Sequence, residues 1–279
     1  LPDRLLCEAN PNRLELVSSS GKGGWTYAEG GPYLDAQSQP SGDWLITGGP
    51  GKVFLLHHTM GKKPWVSSWD WSKFPLDPPV SAVAVDWDLN GKPTLVLAAD
   101  AVKKRIFLAD AKGERTKIRW EFPLPEAPRS VRVCPDSGNF LVTLPSQVEE
   151  VDFKQAKVIW NLALPQAEDA ARSPDSNSYV IDAQGQVFAY DVDQTLLWKT
   201  ALDPEADQWK NMSLSLFNTS AVEDIRVLVS GLSRGRQGRQ SRMWILNSKN
   251  GKILSWEKAP GGALTRAVPR IEGMEPGPK

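Results

Sequence analysis

Histidine is nearly absent from this chain: His57 and His58 stand side by side, and there is no third in 279 residues. That excludes a histidine-rich metal site and most histidine-based catalytic triads. Cysteine is as scarce. Cys7 and Cys134 supply neither a disulfide framework nor a zinc-ligand spacing. No stretch approaches the roughly 18 consecutive apolar residues of a membrane helix. The 33 basic residues are matched by 33 acidic ones, so no overall field steers the chain toward nucleic acid or an anionic membrane. Phosphate-cradling glycine loops and the G-x-S-x-G elbow of serine hydrolases are missing as well.

What is present is a sizeable core. An apolar fraction of 41% with 24% charged residues belongs to a globular chain, long enough for two ordinary domains or one large all-β or barrel-like unit. Tryptophan is over-used, twelve against four tyrosines. The stretch 178–200 shows the local grammar. Tyr179-Val180-Ile181 and Val187 to Tyr190 are strand-length apolar runs, separated by a turn at Ala183-Gln184-Gly185. Asp191 to Gln194 turns again before Leu196-Leu197-Trp198.

The chain repeats this grammar. A tryptophan follows, by seven to ten residues, a polar residue that ends an apolar run: Ser18 and Trp25, His57 and Trp65, Asp110 and Trp120, Asp152 and Trp160, Asp191 and Trp198, Asn247 and Trp256. The tryptophans are 40, 55, 40, 38 and 58 residues apart. A period of about 40–50 residues with four strands per unit is the mark of a propeller. Residues 4–29 supply only second, third and fourth strands, and Ala263 to Ile271 supplies a lone first strand. Pairing the two completes a sixth sheet and removes an unpaired edge. The sequence therefore predicts an all-β fold over 1–279 as one domain: a six-bladed β-propeller of four-stranded antiparallel blades, closed by its C-terminal strand on its N-terminal blade. Extra length is expected as loops at 67–80, 99–104, 201–212 and 231–242.

Val187-Phe188-Ala189-Tyr190-Asp191 followed by Leu196-Leu197-Trp198 resembles the repeat of quinoprotein-type (PQQ-like) propellers, relatives of WD40 rings, and the six units carry the likeness over nearly the whole chain. NHL-type propellers are a close second, because Asn12 to Leu16 is similar to their blades. The resemblance implies that Trp25, Trp65, Trp120, Trp160, Trp198 and Trp256 dock between neighbouring blades, each indole N–H reaching a main-chain carbonyl. Quinone-dependent relatives carry more blades and an adjacent cysteine pair. This chain has neither, so no cofactor is expected, and Cys7 and Cys134 fall too far apart across the ring to bridge.

First strands line the axis of such a ring. Their polar residues are Asp35 and Gln37, Ser130 and Arg132, Asp169 and Arg172, Ser213 and Ser215, Arg266 and Arg270. They either surround a funnel that holds an anionic sugar or does acid–base work, or form a mutually paired plug. The segment 231–242 has four arginines, Arg234, Arg236, Arg239 and Arg242, and no acid. It is either a clamp for phosphate, sulfate or carboxylate, or a flexible hairpin made soluble by charge. Trp69, Trp71 and Trp209 fall in expected loops beside carboxylates, where indoles either stack on sugars or cover a blade edge. His57 stands where other units have Asp and reads as a turn residue. Asp86 to Gly91 opens like a calcium loop, D-x-D-x-N-G, but Leu97 stands where the bidentate Glu is required, so no metal site is expected.

The expectation for function is a binding or interaction module, secreted or periplasmic and monomeric, holding a glycan or a protein on one ring face. Its ligand residues would come from Asp35, Gln37, Arg132, Asp169, Arg266, Trp209, Arg234 and Arg236, with no catalytic constellation and no nucleic-acid partner. The alternative is a polysaccharide lyase or a hydrolase working at the axial funnel through Asp35, Arg132, Asp169 and Arg266. The chain opens on Leu1 and reads as a processed or trimmed form.

Overall fold

Apolar runs of four to eight residues, bounded by Asp, Asn and Gly turns, are too short for helices and too apolar for surface strands. They become the middle strands of sheets covered on both faces. The structure, a computed structural model, describes residues 4–10, 13–18, 23–27, 33–38, 44–48, 52–57, 65–70, 81–87, 93–110, 117–203, 208–218, 225–235, 238–258 and 267–269. No helix among them is long and apolar enough to cross a membrane.

The described strands form six four-stranded sheets. The first contains β1 (Arg4–Asn10), β2 (Arg13–Ser18) and β3 (Gly23–Tyr27). The second contains β4 (Tyr33–Ser38), β5 (Trp44–Gly48), β6 (Lys52–His57) and β7 (Trp65–Asp70). The third contains β8 (Ser81–Trp87), β9 (Pro93–Asp100), β10 (Arg105–Asp110) and β11 (Ile118–Pro123). The fourth runs through β12 (Ser130–Val133), β13 (Phe140–Thr143), β14 (Gln147–Asp152) and β15 (Lys157–Ala163). The fifth is β16 (Ala167–Arg172), β17 (Ser178–Asp182), β18 (Gln186–Tyr190) and β19 (Leu196–Ala201). The sixth is β20 (Gln208–Asn218), β21 (Ile225–Gly235), β22 (Gly238–Asn247) and β23 (Ile253–Lys258).

The last strand, β24 (Ala267–Pro269), leaves this order. It returns to the first sheet and pairs antiparallel with β1, Leu5 opposite Pro269, Leu6 opposite Val268 and Cys7 opposite Ala267. First strands also meet one another in cyclic order: β4 with β8, β8 with β12, β12 with β16, β16 with β20, β20 with β24, and β24 with β4. The fold is an all-β propeller of antiparallel four-stranded sheets.

The core sits between neighbouring sheets. Between the fifth and sixth, Tyr179, Ile181, Val187 and Trp198 pack on Trp209, Met212, Val229 and Trp244. Between the third and fourth, Leu97, Ile106 and Leu124 meet Val131, Phe140 and Val151. Each fully buried aliphatic side chain contributes about 1.5–3 kcal/mol of transfer free energy. Outer strands are covered less, and Leu196, Leu197 and Leu254 stay exposed. In the fourth, fifth and sixth sheets the polar residue closing the third strand holds the following turn. Asp152 Oδ1 accepts from Lys154 N (2.8 Å) and Gln155 N (3.0 Å), Asp191 Oδ1 from Thr195 N (2.8 Å), and Asn247 Oδ1 from Lys249 N (2.8 Å).

One expectation about length is corrected. Residues 231–242 are not a loop: β21 runs on to Gly235 and β22 starts at Gly238, with Arg234 opposite Arg239. A side chain at Gly231 would collide with Met212 Sδ, so glycine there lets the ladder continue over a buried methionine. Arg236 lies outside the described residues.

Candidate functional site

Two strands carry an aspartate at the same structural position. Asp35 on β4 and Asp169 on β16 each follow a register shift, at Tyr33/Asp35 and Ala167/Asp169. In each, Oδ1 accepts from the next backbone N–H, Ala36 at 2.8 Å and Ala170 at 2.9 Å. The bulge re-aims the carboxylate toward the place where first strands converge.

There Asp35, Gln37, Arg132 and Asp169 collapse into one network. Arg132 on β12 reaches both acids, Nη1 to Asp35 Oδ2 at 3.0 Å and Nη2 to Asp169 Oδ2 at 2.9 Å. Gln37 Nε2 donates to Asp35 Oδ2 (3.1 Å) and to Val131 O (3.2 Å), joining the second sheet to the fourth. Ser81 of β8 donates to Asp35 Oδ2 and accepts from Val131 N at 3.1 Å. Asp169 takes Ser130 Oγ at 2.6 Å and Leu214 N of β20 at 2.9 Å. First strands of five sheets therefore share one hydrogen-bonded cluster. Asp35 is 3% exposed and Asp169 1%. Burial works against the charge of Arg132, but the Asp169 and Asp35 carboxylates outweigh it and hold the guanidinium above its ordinary value.

Arg172, expected beside Asp169 on the axis, is elsewhere. Three residues along a strand point to the opposite side of the pleat. Its guanidinium pairs with Glu150 of the fourth sheet, lies 3.6 Å from Asp136 Oδ2, and covers the Trp160 ring at 5.3 Å. Cys134 sits against this buried pair as a free thiol. Burial, reinforced by Glu150, pushes it up to about 12 even though Arg172 pulls the other way. A thiol held neutral is no nucleophile.

The tryptophans divide by register. Trp25, Trp120, Trp160 and Trp198 stand opposite Leu16, Leu108, Glu150 and Ala189, each just past a bulge. All four partners lie two residues before the polar residue that closes the third strand. Trp160 Nε1 donates to Val192 O of the next sheet (3.3 Å) and Trp198 Nε1 to Ser248 O (2.7 Å). Trp120 packs edge-on against Phe140 of the next sheet at 5.9 Å. Trp256 is different: Ser255 takes the docking position opposite Ile245, and Trp256 is one residue further, opposite Trp244. One residue along a strand is the other face. Trp256 is accordingly 54% exposed under the Arg242 guanidinium, and the expected docking role is corrected. Trp65 stands opposite His57 itself, with no bulge before it. The side chains of Trp25 and Trp65 lie outside the described residues.

Trp209 is corrected as well. It belongs to β20, is 8% exposed, meets Trp244 at 5.3 Å, and lies so close to Gly185 that a Cβ there would overlap its ring. It packs one sheet on the next and offers no stacking platform. Arg234 occupies β21, whereas Arg266 lies outside the described residues. Asp86 is an exposed residue of β8 that accepts from Thr94 Oγ1 at 2.8 Å, an ordinary cross-strand contact.

No protein-family model and no curated protein matches this chain. Solved structures do. A Bacteroides caccae protein of unknown function is similar over 98% of this chain and all of its own, at 15% identity and a TM-score of 0.65. BBS1N, solved in complex with ARL6DN, covers 93% of this chain with 77% of its own, at 12% identity and 0.59. The WD40 domain of Toxoplasma gondii coronin covers 94% with 66% of its own, at 13% and 0.57. At these identities the likeness speaks for the propeller fold.

Proposed function

We propose that the six sheets are the blades of one closed ring spanning 1–279, a single domain that works as a binding module, taking a glycan or protein ligand on a ring face. The β24–β1 ladder and the cyclic contacts of first strands support the ring. The bulge-positioned tryptophans support the quinoprotein-type repeat over the NHL type. Placement outside the cytoplasm rests on that resemblance alone.

One observation carries the functional reading. Asp35 and Asp169 have all four carboxylate oxygens engaged by donors of this chain. A lyase or hydrolase at the axis needs a carboxylate with a lone pair free for a substrate proton. Here the charges instead hold first strands together, and recognition falls to the loops and edges, where a rigid ring presents variable surface. BBS1N, of similar fold, was solved with a partner bound. Purified protein on a glycan array and in an affinity pull-down is the test, with a specific ligand expected in one of the two. Blank results in both sink the reading.

A further inference from the structure

The outermost strands of four sheets carry a bulge at one place. The register skips Arg119 on β11, Ile159 on β15, Leu197 on β19 and Leu254 on β23, each one residue before the docking position. A bulge re-aims a side chain that the ladder leaves unpaired. On β11 that side chain is charged and engaged, since Arg119 Nε lies 2.6 Å from Asp110 Oδ1. On the other three it is aliphatic and open: Ile159 is 46% exposed, Leu197 48% and Leu254 45%. Val158, Val192 and Leu196 beside them are exposed as well. With Trp256, these are all the exposed large apolar side chains among the described residues except Val102, which lies in the turn between β9 and β10.

These side chains belong to one continuous band. Trp160 of β15 donates to Val192 O in the turn before β19, and Trp198 of β19 donates to Ser248 O in the turn before β23. Thr200 Oγ1 adds a bond to Gly251 O at 2.8 Å. Each outer strand is thus stitched to the next sheet's outer turn, from the fourth sheet to the sixth. Cations stand along the same band. Lys154, Lys157, Lys249 and Lys252 are exposed, and no carboxylate among the described residues pairs with them. Of the nearby acids, Asp152 and Asp191 hold their own turns, which leaves Asp193. First-to-second and third-to-fourth turns share one end of an antiparallel sheet, so Asp136 and Asp175 lie at this end too, nearer the axis. Both accept from the chain, Asp136 from Ser176 Oγ at 2.7 Å and Asp175 from Asn177 Nδ2 at 2.9 Å.

We infer that this band seats the rim on an anionic phospholipid surface, its aliphatic side chains entering among the headgroups and its lysines meeting phosphates. Charges balance over the whole chain, but screening limits each to about 10 Å at 0.1 M salt, so the local excess decides. A second copy would set lysines against lysines. An added strand is resisted by the bulges and lysines, which are the devices that blunt a sheet edge. Protein interfaces concentrate their energy in a few side chains clustered in pockets. Here the alkyl groups are spread over three sheets with cations among them, which suits a surface that accepts each one separately. Exposed Trp256, two residues beyond Leu254, adds an indole, the ring that favours headgroup depth. The inference goes beyond the binding-module reading, because a glycan or protein ligand needs no bilayer.

Co-sedimentation of the full chain with phosphatidylcholine vesicles, with and without phosphatidylglycerol, tests it. Binding is expected only with phosphatidylglycerol. Ile159→Ser with Leu197→Ser and Leu254→Ser should weaken it about tenfold or more, and Lys249→Glu with Lys252→Glu comparably. Val102→Ser removes an equally open apolar group elsewhere and should change it less than about twofold. Tryptophan emission reports that each variant stays folded, and the lysine pair decides if the triple variant does not. No binding to phosphatidylglycerol vesicles, equal binding to neutral ones, or losses in Val102→Ser matching those in the band each overturns the inference. A protein captured by the wild type and lost by the triple variant, with vesicles left unbound, overturns it in favour of a protein partner. Blank results on the glycan array and in the pull-down, with vesicle binding intact, remove the binding-module reading and leave this inference standing.

Discussion

Arginine does opposite things at two places in this molecule. Arg132 lies where first strands meet, between two buried carboxylates, and every donor and acceptor around it comes from the chain itself. Arg234 and Arg239 lie at the far end of the sixth sheet, opposite each other, in strands with no acid. At the first place charge is consumed in holding five strands together. At the second the ladder sets two arginines at one register position. A charged residue speaks for function only after its neighbours have been counted.

Breaking the inner site should cost most. Arg132→Leu leaves Asp35 and Asp169 buried without their cation, and chemical denaturation should show a loss of about 3–5 kcal/mol. If the loss is under about 1 kcal/mol, the cluster is not what binds the first strands. Trp198→Ala should cost a similar 3–5 kcal/mol, as a buried aromatic that also donates to Ser248 O. Gly251→Ala comes next, at about 1–3 kcal/mol. Its φ of 69° disfavours a side chain, and a Cβ would press on the Trp198 ring and the Thr200 hydroxyl.

A smaller effect comes from a buried acid without the counter-charge that the axis provides. Glu149 is buried, its Oε2 has no hydrogen-bond partner, and burial raises its pKa despite a hydrogen bond from Gln147. The folded state therefore holds this proton more tightly than the unfolded chain. Its contribution is present below the ordinary carboxylate value and fades as pH rises through the folded one. Glu149→Gln should add about 1 kcal/mol at neutral pH and nothing in acid, read from melting curves at the two pH values. Smallest is Trp256→Ala, exposed and out of docking register, at under about 0.5 kcal/mol. The gap between Trp198 and Trp256 sharpens the comparison, because the two differ by one residue in their register on the third strand.

That one-residue slip in register shows where the sequence is legible and where it is not. Middle strands announce themselves, since a run such as Ser178–Asp182 is buried at every position and its three central residues are apolar. The first-to-last strand pairing is legible because the count of strands leaves one missing at the front and one spare at the end. Asp35, Gln37, Arg132 and Asp169 are legible as a group, because alternation along first strands puts them toward one line. Arg172 violates that alternation, and attention to the pleat separates it from Asp169. Trp256 misleads because a spacing of seven to ten residues tolerates a one-residue slip that a sheet does not. The segment from Gly231 to Arg242 misleads for another reason. It has the composition of a loop, and what makes it a ladder is Met212 and Trp209 beneath it, residues from another strand.

The pairing of Leu5–Cys7 with 267–269 has a consequence for how the molecule comes into being. Nearly the whole polypeptide separates the two partners, so their contact carries the largest loop-closure entropy of any ladder in the fold. On the ribosome, β1 must wait with one edge bare until synthesis has passed Pro269. A nascent chain stalled before that point would present an open hydrogen-bonding edge to its neighbours on the same message.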